Sequence, residues 1–123
     1  MTIVIEESVS FEFLDDAIIN IVEGGGSDYW AVIKHWKVGD EKAGRASEAM
    51  VRSIDDPPTA YVRLDHDLIF LGINRILRGD VKVGKIVYGR ILEAVRTGDG
   101  GVIDADDLDC ILQAGMFNEI VYA

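Results

Sequence analysis

Gly24-Gly25-Gly26-Ser27-Asp28-Tyr29-Trp30-Ala31-Val32-Ile33-Lys34-His35-Trp36-Lys37-Val38 is where the chain changes period. Ahead of it, Phe13, Leu14, Ala17, Ile18, Ile21 and Val22 recur every three or four residues, the spacing of one buried helical stripe. Ser10 supplies an N-cap for that helix and the glycines a C-terminal stop, so the helix is expected over Phe11 to Glu23. From Tyr29 to Val38 the period drops to two, which predicts a strand. Trp30, Val32, Lys34 and Trp36 fall on one face of it, and Tyr29, Ala31, Ile33 and His35 on the other. A helix followed at once by a strand points to a mixed fold.

Outward from this switch, Thr2 to Ser8 alternates as a half-buried strand does. Gly39 to Thr59 reads as a long loop with one short strand or turn near Met50 to Ile54, and Tyr61 to Leu64 as a brief strand. Asp65 caps a helix over His66 to Arg78, Gly79-Asp80 separates it from a second over Val81 to Arg96, and Gly98 ends that one. Asp104 caps a helix from Ala105 to Met116, after which Ile120-Val121-Tyr122 can return as a last strand. The expected fold is a small α+β single domain over residues 1–123, a short, mostly antiparallel sheet packed against three to four helices.

The chain has 123 residues, 49% of them hydrophobic, so it can bury a core without disulfides or a structural metal. Its one cysteine, Cys110, lies among Leu108, Ile111 and Leu112 and reads as a structural thiol. No apolar run reaches the length of a membrane span and no basic leader opens the sequence, which places the protein in the cytoplasm, away from membranes. The net charge of −10 argues against direct nucleic-acid binding. The charge is unevenly spread: the first 33 residues hold seven acids and no base, and all twelve bases fall between Lys34 and Arg96. Arg75, Arg78, Lys82 and Lys85 form the densest basic cluster, a candidate anion-facing surface that competes with a solvated helical edge.

Motifs with chemistry are few. Asp99 to Asp104 fails as a calcium loop, because Arg96 stands where the first carboxylate belongs; Asp104, Asp106, Asp107 and Asp109 read as capping and first-turn acids. The three glycines follow a helix, so they form no phosphate loop. His35, His66-Asp67 and Asp104 have the order of the metal ligands in HD-domain phosphohydrolases, which they resemble, although that family is all-helical and His35 falls in a strand-like run. No cofactor or metal is expected. The rings of Tyr29, Trp30 and Trp36, beside Lys34 and Lys37, suit stacking on a nucleotide, with core packing as the competing account.

Two segments resemble a family. Ala17 to Gly25 leading to Tyr29-Trp30, and Asp104 to Ala114 leading to Phe117 and Glu119-Ile120-Val121-Tyr122, resemble small uncharacterised proteins of tailed bacteriophages, notably of actinobacteria. In that pattern a helix ending Glu-Gly-Gly meets Tyr-Trp, and an Asp-Ala-Asp…Gln…Phe-Glu-Val-Val-Tyr segment closes the chain. The likeness implies a phage origin and a role in the host cytoplasm, and it carries no known activity. The recurrence of Glu23, Tyr29, Trp30, Asp109 and Gln113 suggests either a polar network joining the chain ends or the wall of a site.

These readings lead to a non-enzymatic, homo-oligomeric binding protein. The first version is a counter-defence sponge for a nucleotide-derived immune signal, using Tyr29, Trp30, Trp36, Arg75, Arg78, Lys82 and Lys85 with Asp109 and Gln113. The second is an acidic decoy that occupies a nucleic-acid-binding host defence protein. An HD-type metal phosphohydrolase comes third.

Overall fold

The computed structural model describes residues 9–123; the strand expected over Thr2 to Ser8 lies outside the described residues. Helix α1 spans Phe11–Gly24, capped by the Ser10 hydroxyl accepting from the Phe13 N–H and ended by Gly25 at φ 70°. Strand β1 is Ala31–Lys37, β2 Glu48–Ser53 and β3 Val62–Leu64. Helix α2 is His66–Leu77, α3 Lys85–Thr97 and α4 Ala105–Phe117. Short 3-10 turns lie at Glu41–Ala43 and Gly100–Val102. The result is a small α+β domain with a three-stranded antiparallel sheet in the order β1-β2-β3.

One core joins the two layers. Ala31, Ala49, Val51 and Leu64 turn inward from the sheet to meet Ile18 and Ile21 of α1, Ile69, Ile73 and Ile76 of α2, and Ile111 and Leu112 of α4. Helices α2 and α4 touch at a glycine notch, with Gly72 against the Ile111 carbonyl and Gly115 against that of Leu68. A guanidinium ties α3 to α4: Arg90 grips the buried Asp107 through Nε at 2.7 Å and Nη2 at 2.8 Å, while Asp107 also completes the capping box of α4 with Asp104.

Three expectations change. The second helix does not start at Val81: the chain reverses at Gly79 (φ 82°), buries Val81 in the core, and enters α3 only after Gly84. Two β-branched residues around Lys82 favour that extended entry over a helical one. Ile120 to Tyr122 forms no strand, because the Gln113 side chain takes up its backbone groups. The alternation of β1 breaks at His35, where φ reaches 55° and the register with β2 shifts between Lys34 and Lys37.

Candidate functional site

The break in β1 decides what the aromatic residues do. Trp30 precedes the strand and is 1% exposed, its ring stacked on Tyr122 (centroids 5.1 Å, planes 7° apart) and tilted against Phe117. Trp36, beyond the bulge, is half-buried against the core, whereas Lys34 stays in solvent. The shared face of Trp30 and Trp36 expected from strict alternation therefore does not exist, and the Trp30 ring offers no surface for stacking.

What binds these residues together is Asp109. Its Oδ1 accepts from the Ser27 hydroxyl (2.6 Å) and the Trp30 indole N–H (2.7 Å), and its Oδ2 from the Tyr29 hydroxyl (2.6 Å) and the Gln113 amide (3.0 Å). Four donors around one buried carboxylate replace the water it has lost. Gln113, four residues on and itself buried, extends the network: its Oε1 accepts the N–H groups of Val121 and Tyr122 at 2.9 and 2.8 Å, and its Nε2 donates to the Tyr122 carbonyl at 3.0 Å. The side-chain amide thus stands in for a neighbouring strand. Tyr122 then reaches the sheet, its hydroxyl meeting Ser53 and donating to Asp55. Of the two readings of the recurrent residues, the network joining the chain ends is the one in place, while Glu23 lies exposed on α1 outside it.

Tyr29, 53% exposed, covers this network. Desolvation first, and then the hydrogen bond and charge of Asp109, push its hydroxyl up to about 12. The proton is held more tightly in the folded state than in the unfolded one, where the value is near 10. Its stabilising contribution is therefore complete below pH 10 and is lost as the pH climbs toward 12. Titration followed by tyrosinate absorbance is expected to find Tyr29 among the late tyrosines, with Tyr122 also raised, and Tyr29→Phe to remove one late step while leaving the other.

One member of the basic cluster is already engaged. Arg75 spends its guanidinium on the C-terminal carbonyls of α4, donating to Ala114 and Gly115 at 2.9 Å each. Arg78, Lys82 and Lys85 are exposed around the α2–α3 connection. None of the four lines the cleft around His66 or the one beside α1. The histidines also part: His35 is exposed at the β1 bulge, and His66 Nε2 meets Asp15 Oδ1 at 2.7 Å. Burial raises Asp15, but the Ser47 N–H and His66 outweigh it and leave the carboxyl below its ordinary range. Among the described residues no group of three or more His, Cys, Asp or Glu side chains is arranged to hold a metal ion. Cys110 is half-buried, and burial followed by the surrounding aspartates pushes its thiol up to about 11, away from nucleophilic use.

Two open clefts are formed by described residues. One, of about 360 Å³, lies between Arg45, Ser47 and Glu48 on one side and Arg63, Asp65, His66 and Asp67 on the other, a mixture of both charges. The second, about 340 Å³, runs between α1 and the Gly98–Gly101 turn, and its charged lining residues, Glu12, Asp16 and Asp99, are all acidic. Asn20 in that cleft also lines a crevice with Ala105, so the exposed Asp104 and Asp106 beside Ala105 continue the acidic side. Arg90 lies 3.4 Å from Asp104.

Sequence reading missed the partners that only the fold supplies: Ser27 for Asp109, Tyr122 for Gln113, Asp15 for His66, and Tyr61 for Lys34 and Arg52. Comparison with protein-family models, curated proteins and solved structures finds no match to this chain. Among the described residues no helix is long and apolar enough to cross a membrane.

Proposed function

We propose that this is a phage-encoded, non-enzymatic protein that acts by stoichiometric binding, presenting an acidic face to a basic, nucleic-acid-binding protein of the host cytoplasm. The observation that carries the reading is the cleft between α1 and Gly98–Gly101, whose charged side chains are Glu12, Asp16 and Asp99 with no base among them. A groove lined by one sign of charge raises the local potential, steers a partner of opposite sign and rejects its own kind. The phage origin rests on the resemblance of the two end segments. Siting a nucleotide sponge at Arg75 and Trp30 has less support, since one caps a helix and the other is core.

The test is capture by the immobilised protein from bacterial host lysate, with duplex DNA as competitor. A basic DNA-binding protein should be retained, released by salt and displaced by the DNA. Replacing Glu12→Lys, Asp16→Lys and Asp99→Lys together should lower its retention more than about tenfold with the circular dichroism unchanged. Equal retention by that variant would remove the acidic cleft as the binding surface.

A further inference from the structure

The outer face of the sheet gathers cations from three separate stretches of chain. Strand pairing sets Val32 beside Arg52, Lys34 and Arg63 on opposite sides of Met50, and Lys37 beside Glu48. The intervening residues Ala49, Val51 and Leu64 point into the core, so these face the other way. Tyr61, one step before β3, lies across this surface. Lys34 Nζ sits 4.2 Å from the centre of its ring and the Arg52 guanidinium carbon 5.5 Å. Four bases and one acid thus share a patch of a protein whose net charge is −10.

We infer that this face is a binding site for a small nucleotide, with the Tyr61 ring stacking the base and Lys34 and Arg52 holding phosphate. An aromatic face bordered by cations matches a ligand that is itself a flat ring joined to an anion. Arg63 is already paired with Glu48 at 2.5 Å and lies 3.8 Å from Asp65, whereas Lys34 and Arg52 meet no carboxylate among the described residues. Arg52 is held by Nη1 donating to the carbonyls of Ser53 (3.0 Å) and Asp56 (3.4 Å), and its Nε has no partner among the described residues. Among the described residues Lys34 meets Tyr61, over whose ring it makes an exposed cation–π contact weak enough for a phosphate to replace. Desolvation works against it, yet Arg52 and Lys34 still draw the Tyr61 hydroxyl below its ordinary value, so the patch already favours negative charge. Three short strands give room for one base and its phosphates, and a rigid sheet keeps the groups in place before the ligand arrives.

The site shares no residue with the acidic cleft, and the two readings fail separately. Calorimetric and NMR titration should use ATP, inorganic tripolyphosphate and octathymidylate as probes. ATP is expected to bind and to shift the amide signals of Lys34, Arg52 and Tyr61. Tyr61→Ala should weaken it about tenfold, Tyr61→Leu likewise, and Lys34→Gln with Arg52→Gln should weaken it and flatten its salt dependence. Arg78→Gln with Lys82→Gln, and the Glu12, Asp16 and Asp99 charge reversals, should leave it unchanged. Tripolyphosphate binding as tightly as ATP, unaltered binding by Tyr61→Ala, or no binding of ATP at millimolar concentration would each overturn the assignment. Much tighter binding of octathymidylate than of ATP would overturn the choice of a small nucleotide in favour of a strand.

Discussion

Asp109→Ala is expected to destabilise the protein by about 4 kcal/mol, a large part of the total stability of a domain this size. The Ser27 hydroxyl and the Trp30 indole N–H both end on Asp109 Oδ1, and Ser27 and Trp30 are 2% and 1% exposed. Deleting the carboxylate strands both donors in a place water does not reach, at about 1–3 kcal/mol each. Tyr29 can turn to solvent, and Gln113 keeps its bond to the Tyr122 carbonyl, so these two lose less. Asp109→Asn separates shape from charge. Its amide nitrogen would face the Gln113 amide, donor against donor, while its oxygen could still serve Ser27 and Trp30, so a loss of about 2 kcal/mol is expected. Urea unfolding of both variants checks the order. If Asp109→Ala unfolds at the same urea concentration as the parent, the carboxylate does not organise the core.

Gly72→Ala is expected to cost about 3 kcal/mol. A Cβ on Gly72 would stand 2.1 Å from the Ile111 carbonyl oxygen and 3.0 Å from its carbon, both backbone, so α2 and α4 must separate. Gly115 faces the same difficulty against the Leu68 carbonyl at 2.6 Å. Glycine inside a helix is itself unfavourable by about 1 kcal/mol relative to alanine, so close packing, not local preference, accounts for its presence. Gly89 in α3 is the internal control: nothing lies within 4 Å of its built Cβ, and Gly89→Ala should stabilise by roughly 1 kcal/mol. One substitution with opposite signs at two helical positions, read by thermal unfolding, tests the notch directly.

The helices were legible because their signals are local. Ser10, Asp65 and Asp104 announce starts within reach of the backbone groups they cap, and Gly98 announces a stop. Val81 misled because its apolar spacing continues that of α3 although the segment is extended; the spacing records burial, not conformation. The His35 bulge leaves no mark on the period of β1, so strict alternation puts Trp36 on the face of Lys34. At the candidate sites, Asp109 and Gln113 could be paired because they lie four apart on one helix. Lys34, Arg52 and Tyr61 could not, since only the register of the strands brings them together. In the densest run of bases Arg75 turns to the end of α4, whereas Lys34 and Arg52 converge on Tyr61 from segments each sparse in bases.

The Asp109 hub also bears on the order in which the chain acquires its structure. Its bonds to Ser27 and Trp30 join residues 82 and 79 apart, and closing loops of that length is entropically demanding before any contact rewards it. The glycine-notched helices α2 and α4 and the β1-β2 hairpin span shorter separations and can form first. The carboxylate would then be dehydrated in the last steps, after the rate-limiting barrier. Asp109→Ala should in that case accelerate unfolding while leaving the refolding rate nearly unchanged. The fastening that holds the two ends of the chain would govern how long the molecule stays folded, with little influence on how quickly it gets there.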